Sequence, residues 1–282
     1  MKQVSVYQPD HNLGWGPGVW QEMLDELKSS KELIWGLFLR DFKARYKQTL
    51  LGFFWALIRP LFLVGVFLFL NQAGVLNIGK VDVPYPAYGL LGLTIWHIFA
   101  KGLAECSNCI LAGRNMVMKI NFPKEVLVFA SIGQTLVEIL IQSGLTVAVF
   151  ALYRVAPAWT IVFFPLSLVP LFLLTLGLGF LVSLFNSLFR DVSNIISLGT
   201  TFLLFITPVL YPEPVTGFFN EFTLFNPLAA LISGPRDLVI KGYLTQPVSF
   251  AVVSVLSLVI FLIGWRIFHL AEVYIAERIG AR

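Results

Sequence analysis

A chain of 282 residues that is 57% hydrophobic and only 13% charged does not have water as its main solvent, because ordinary soluble domains carry about 25% charged residues. The net charge of +4 comes from basic residues spread along predicted loops. No DNA-binding face is laid out, so no nucleic-acid partner is expected.

The first predicted element lies in a polar segment, residues 1–49, ahead of the first apolar run, so no cleavable signal peptide is expected. Trp20, Met23, Leu24 and Leu27 share one helical face, while Glu22, Asp25, Glu26, Lys28 and Ser29 occupy the other. Pro17 and Gly18 open this helix. It either lies on the inner membrane surface or packs against a soluble partner. Trp20 and the basic residues Arg40, Lys43, Arg45 and Lys47 are expected to anchor the chain at the interface, the latter four by pairing with lipid phosphates.

Six apolar runs follow, at 50–70, 88–112, 126–152, 159–185, 192–210 and 248–268. A bilayer crossing needs about 20 such residues. The expected fold is therefore an all-α integral membrane protein, with a six-helix domain over residues 50–270 and a tail over 271–282. With the N-terminus inside, 14 Lys and Arg fall on inner segments and 4 on outer loops, which predicts both termini cytoplasmic. Residues 211–236 are apolar but broken by Pro212, Pro214, Gly217 and Pro227, the pattern of short external re-entrant helices.

The stretch RDFKARYKQTLLGFFWALIRPL from Arg40 resembles the entry to the first membrane helix in the permease subunits of polysaccharide-exporting ABC transporters. Four later stretches resemble, in the same order, the second span, the coupling segment, the second cytoplasmic turn, and the outer end of the fifth span with the external re-entrant region of that family. They are GLTIWHIF from Gly92, NMVMKINFPKEVL from Asn115, FRDVSNI from Phe189, and the pair TPVLYP from Thr207 and NPLAALI from Asn226. Arg59, and the lack of a proline over residues 126–129, depart from the pattern. The resemblance implies a bacterial inner-membrane permease that exports a lipid-linked O-antigen, capsule or teichoic acid chain. It also implies a separate ATPase subunit, in two copies, that binds ATP and Mg. Six helices around one axis enclose little space for a polymer, so the channel is expected between two copies of the chain.

Within that frame, residues 113–125 are the expected coupling segment. Arg114, Asn115, Met118, Lys119, Phe122, Pro123, Lys124 and Glu125 are its candidate residues, because a short stiff element between two spans transmits a rigid push to both. Arg190 and Asp191 are either a second contact or a helix-end brace. Charges inside spans are costly unless paired or facing water. Arg59 lies about 14 Å into the first run at the helical rise, and Pro60 after it is expected to kink the helix. Lys101 and Glu105 stand at i, i+4 and are expected to neutralise one another. Gln134, Glu138 and Gln142 form a polar stripe that either lines a channel or joins helices. Trp55, Tyr88, Trp96, Tyr211, Phe218, Phe219 and Phe222 are placed either to stack on sugar faces or to form an interfacial belt.

Other chemistries find little support. GVLNIGK from Gly74 fits G-x-x-x-x-G-K, but Val81 replaces the hydroxyl that would hold magnesium. Lys80 is read instead as a loop charge. Gly177 and Gly179 sit inside an apolar helix, where small residues permit close packing. Cys106 and Cys109 are expected to remain free thiols, no metal site is expected, and His11, His97 and His269 do not cluster in the sequence. A membrane-embedded transferase would need a carboxylate pair or a His and Asp at a membrane face. A secondary transporter would show repeated halves with broken helices.

Overall fold

The computed structural model describes residues 16–47, 54–75, 78–79, 81–189, 191–213, 223 and 225–280. Every regular element among them is helical. Helix α1 (Pro17–Ser29) starts on a proline, whose missing N–H costs nothing in the first turn. Helix α2 (Lys31–Lys47) follows almost directly, then α3 (Phe54–Gln72) and the long α4 (Tyr85–Ala112). A four-residue α5 (Arg114–Val117) leads to α6 (Glu125–Leu152). A 3-10 turn (Trp159–Phe163) and α7 (Phe164–Ser167) run into α8 (Val169–Leu188), followed by α9 (Val192–Ile206), α10 (Pro227–Ile240) and α11 (Pro247–Gly280).

Among the described residues, four stretches are long and apolar enough to cross a membrane: Phe54–Gln72, Glu125–Leu152, Trp159–Leu188 and Pro247–Glu272. The other two expected spans differ from the sequence reading in instructive ways. At 28 residues, α4 is long enough but carries Thr94, His97, Lys101 and Glu105. Most of its residues are buried, because it occupies the middle of the bundle against α3, α6, α8, α9 and α10. Its surroundings are protein, so it need not be lipid-like. Helix α9 is 15 residues long, roughly 22 Å at the helical rise. It stops at Ile206 because the residue before Pro208 is driven to an extended conformation, and Thr207 sits at φ −84°, ψ 136°. Helix α3, by contrast, continues past the buried Pro60.

Two hydrophobic cores organise the bundle. One centres on α4 around Leu90, Ile95, Ile98, Leu171, Leu210 and Leu231. The second gathers Met23 of α1, Ile110 of α4, Val126 and Val128 of α6, Phe180 of α8, and Trp265 and Phe268 of α11. Trp20 and Trp265 meet edge to face at 6.1 Å. The apolar side of α1 therefore packs into this second core, with Met23 fully buried and Leu24 left exposed. Because α1 and the far part of α11 share one core, the described beginning and end of the chain lie at the same end of the bundle. Outward faces remain apolar: Phe62, Leu140, Leu198 and Val248 are each more than 70% exposed, which suits a hydrocarbon solvent.

The backbones of α8 and α11 are in close contact. A methyl group added to Gly264 would meet the Gly177 carbonyl oxygen at 2.3 Å, and one on Gly177 would meet the Phe261 Cα at 2.7 Å. Of the small residues expected to permit close packing, Gly177 does so here and Gly179 does so against Cys106 of α4.

Candidate functional site

At the α1 end, the segment from Arg114 to Glu125 splits into an exposed half and a buried half. Asn115, Met118, Lys119 and Ile120 are exposed and Arg114 is half-buried, whereas Val117, Phe122, Pro123, Lys124 and Glu125 are buried. Lys124 donates from Nζ to the Phe122 carbonyl at 2.7 Å, lies 5.4 Å from the Phe122 ring centroid, and pairs with Glu272 of α11 at 3.3 Å. Glu125, fully buried, places Oε1 2.8 Å from His269 Nδ1. Lys124 and Glu125 are thus brackets holding the segment to α11, and the surface available to another protein is Asn115 to Ile120. Glu26 of α1 joins them, since one ligand-type atom each from Glu26, Glu125 and His269 lie within 4.8 Å of one another. Burial pushes the Glu26 carboxyl above the usual carboxylate range, and the neighbouring His269 pulls the other way. Asp191 is exposed at the start of α9, where its carbonyl accepts from Ile195 at 3.0 Å. Arg190 lies outside the described residues.

A second constellation joins α2, α4 and α6. Arg45 Nη2 lies 2.6 Å from Glu105, and Arg45 Nη1 lies 3.9 Å from Glu138. Lys101 bridges the same two carboxylates at 4.0 and 3.2 Å. The expected pair Lys101 and Glu105 is therefore half of a four-charge cluster, and Arg45 is drawn into the bundle where a lipid phosphate contact was expected. Gln134 and Gln142 are buried too. Gln134 donates to the Phe38 carbonyl at 2.8 Å, and Gln142 Oε1 lies 2.6 Å from His97 Nδ1. Of the two readings left open for the polar stripe, these contacts match the joining of helices, because each polar group is consumed by a neighbouring helix. Glu138→Gln is expected to cost about 1 kcal/mol, the scale of a partly exposed pair. It should loosen α2, read as faster proteolysis within residues 31–47 of the detergent-solubilised protein.

The opposite end is tied by Arg236 of α10. It is buried, donates from Nη1 to the Pro208 and Val209 carbonyls at 2.9 and 3.3 Å, and stacks 4.4 Å over the Tyr88 ring. The Tyr88 hydroxyl donates to the Tyr211 carbonyl at 3.2 Å, and the Tyr211 hydroxyl donates to Phe205 at 2.8 Å. Asn226 caps α10 by accepting from Leu228 at 3.0 Å and also donates to Thr207 at 2.9 Å. Here Tyr88 and Trp96, proposed channel residues, are packing groups, and Trp96 is buried against Phe99 at 5.7 Å. Trp55 and Arg59 do stand on the surface, the guanidinium 5.8 Å from the Trp55 ring centroid. Phe218, Phe219 and Phe222 lie outside the described residues, as do Lys80 and the Lys47 side chain. Of the expected re-entrant region, residues 211–213, 223 and 225–236 are described, the last of these stretches running into α10. Among the other anchors, Arg40 pairs with Asp41 at 2.8 Å, Lys43 is exposed, and Trp20 packs on Trp265.

The sequence pattern of the ABC-2 type transporter family matches residues 32–240, which run from α2 through α10. The chain belongs to the ABC-2 type transporter family. Among its relatives, an O-antigen export system permease protein RfbA of Klebsiella pneumoniae is 26% identical over 84% of this chain and 91% of its own length. A protein of the same name from Myxococcus xanthus is 25% identical over 91% of this chain and 99% of its own. The polysialic acid transport protein KpsM of Escherichia coli is 23% identical over 86% of this chain and 94% of its own.

As an ABC-2 family member the chain is helical and membrane-spanning, in agreement with the sequence reading. What that reading missed is the partnership of residues far apart in the chain. His269 pairs with Glu125 across 144 positions, and Glu105 with Arg45 across 60. No local spacing encodes either contact. The available signal was the rarity of charge in apolar surroundings, which marks Arg236, Glu272 and Arg266 as groups needing partners.

Proposed function

We propose that this chain is the membrane subunit of an exporter that carries a lipid-linked polysaccharide, most simply an O-antigen, across the bacterial cytoplasmic membrane. The carrying observation is the family match together with relatives named for O-antigen export and polysialic acid transport. ATP and Mg are bound and ATP is hydrolysed by a separate ABC ATPase, two copies of which serve two copies of this chain. The chain itself binds no cofactor and is not an enzyme. Glycan passes between the two copies rather than through one, since the charged and amide side chains of α4 and α6 are taken up by neighbouring helices.

Both termini are cytoplasmic and the crossings are six, with α4 and α9 completing the four apolar spans. Support comes from the basic excess on the predicted inner segments and from the shared core of α1 and α11, which fits an even number of crossings. The ATPase docks on the exposed run of Asn115, Met118, Lys119 and Ile120, where apolar and basic side chains stand out from a buried base. Asn115→Cys is expected to crosslink to a cysteine in the groove of the ATPase. An intact complex that never crosslinks there would remove this docking assignment. Depletion of the chain is expected to leave lipid-linked glycan on the inner leaflet, whose chemistry then identifies the cargo.

A further inference from the structure

The coupling segment is fastened to more than its two flanking helices. Lys124 and Glu125 are adjacent, opposite in charge and buried, and each reaches α11: Lys124 to Glu272 at 3.3 Å, Glu125 to His269 at 2.8 Å. His269 and Glu272 stand three residues apart and so share one face of α11. Two attachments on one face fix rotation as well as translation. A buried pair of this kind is costly to break by losing one partner, so the joint moves as a unit when pushed. Glu26 extends the joint to α1. Beyond it, α11 presses its backbone onto α8 at Gly264 and Gly177. Asn186 near the end of α8 then accepts from the Ser193 N–H of α9 at 3.1 Å and donates to the Ser107 carbonyl of α4 at 2.8 Å.

We propose that Lys124 and Glu125 are positioning residues that carry motion of the docked segment into α11, and through it to α8 and α9, by way of Glu272 and His269. This inference rests on the docking of an ATPase at Asn115 to Ile120. It adds a route through the last described helix, all of which lies beyond the stretch matched to the family.

The test uses the full complex of chain and ATPase in lipid vesicles, with nitroxide labels on Ile267→Cys of α11 or Leu136→Cys of α6. Both sites are exposed, and the native Cys106 and Cys109 are buried and remain unlabelled. In the parent protein, trapping with ATP and vanadate should change both spectra. In Glu272→Gln the change at Ile267 should fall at least fivefold while that at Leu136 persists and ATP turnover stays within twofold. Lys124→Glu combined with Glu272→Lys should recover at least half of the Ile267 response. A purely structural role predicts equal losses at both labels, and an undiminished Ile267 response in Glu272→Gln overturns the proposal. If Glu272→Gln does not accumulate, His269→Leu is read in the same way, with the same two outcomes. Loss of the Asn115→Cys crosslink in the parent complex would instead count against ATPase docking, so the two failures are told apart.

Discussion

Gly264→Ala is expected to prevent the chain from accumulating as folded protein, although the same change in an open helical position is favourable. In a helix interior, alanine is preferred over glycine by about 1 kcal/mol. At Gly264 that gain meets the Gly177 carbonyl oxygen at 2.3 Å from the new methyl group, with the Gly177 backbone carbon at 3.0 Å. Neither is the end of a flexible side chain, so relief requires α8 and α11 to separate along their whole contact. Overpacking against movable side chains already costs about 1–3 kcal/mol, and separating two backbones exceeds that range. Gly144→Ala supplies the control, since nothing lies within 4 Å of its added methyl group. It should accumulate normally and unfold at an equal or higher temperature in detergent. Comparable accumulation of the two variants would show that α8 and α11 are not in backbone contact.

Arg236→Leu is expected to cost about 3 kcal/mol, because each hydrogen bond to a charged group contributes roughly 1.5–3 kcal/mol and the abandoned acceptors stay buried. The leucine fills the volume but offers no donor to the Pro208 and Val209 carbonyls, and it forfeits the stacking on Tyr88. Thermal unfolding of the purified protein should shift down by several degrees, and the turn after α9 should become susceptible to protease. Arg236→Lys should recover only part of the loss. An ammonium is a point charge and cannot lie flat on the Tyr88 ring as the planar guanidinium does while its Nη1 serves both carbonyls. Equal stability of the leucine variant and the parent would mean that Arg236 is dispensable to this end of the fold.

How much of this was legible depends on whether the controlling interaction is local. The apolar runs at 126–152 and 248–268 fall within α6 and α11, since burial in lipid is written residue by residue. The run at 192–210 was read four residues too long, because hydropathy does not register that Pro208 forces its predecessor out of the helix. At the candidate site, the exposed Asn115, Met118 and Lys119 were legible as a loop between spans. Lys124 and Glu125 were placed in the same segment but without side-chain partners, since Glu272 and His269 come from the other end of the chain. The stripe of Gln134, Glu138 and Gln142 was visible as a spacing, yet spacing alone does not say whether a polar face meets water or another helix.

The central place of α4 has a consequence for biogenesis. A segment carrying Lys101, Glu105 and His97 partitions poorly into hydrocarbon on its own, given that one lysine at mid-membrane disfavours insertion by about 2.5–3.5 kcal/mol. Its charges are neutralised by Glu138 of α6 and by Arg45, and its long flank is covered by α8. Of these, α6 and α8 are synthesised after it. Nascent α4 is therefore expected to stay out of the lipid until its later neighbours emerge, so that several helices enter together rather than being threaded one by one.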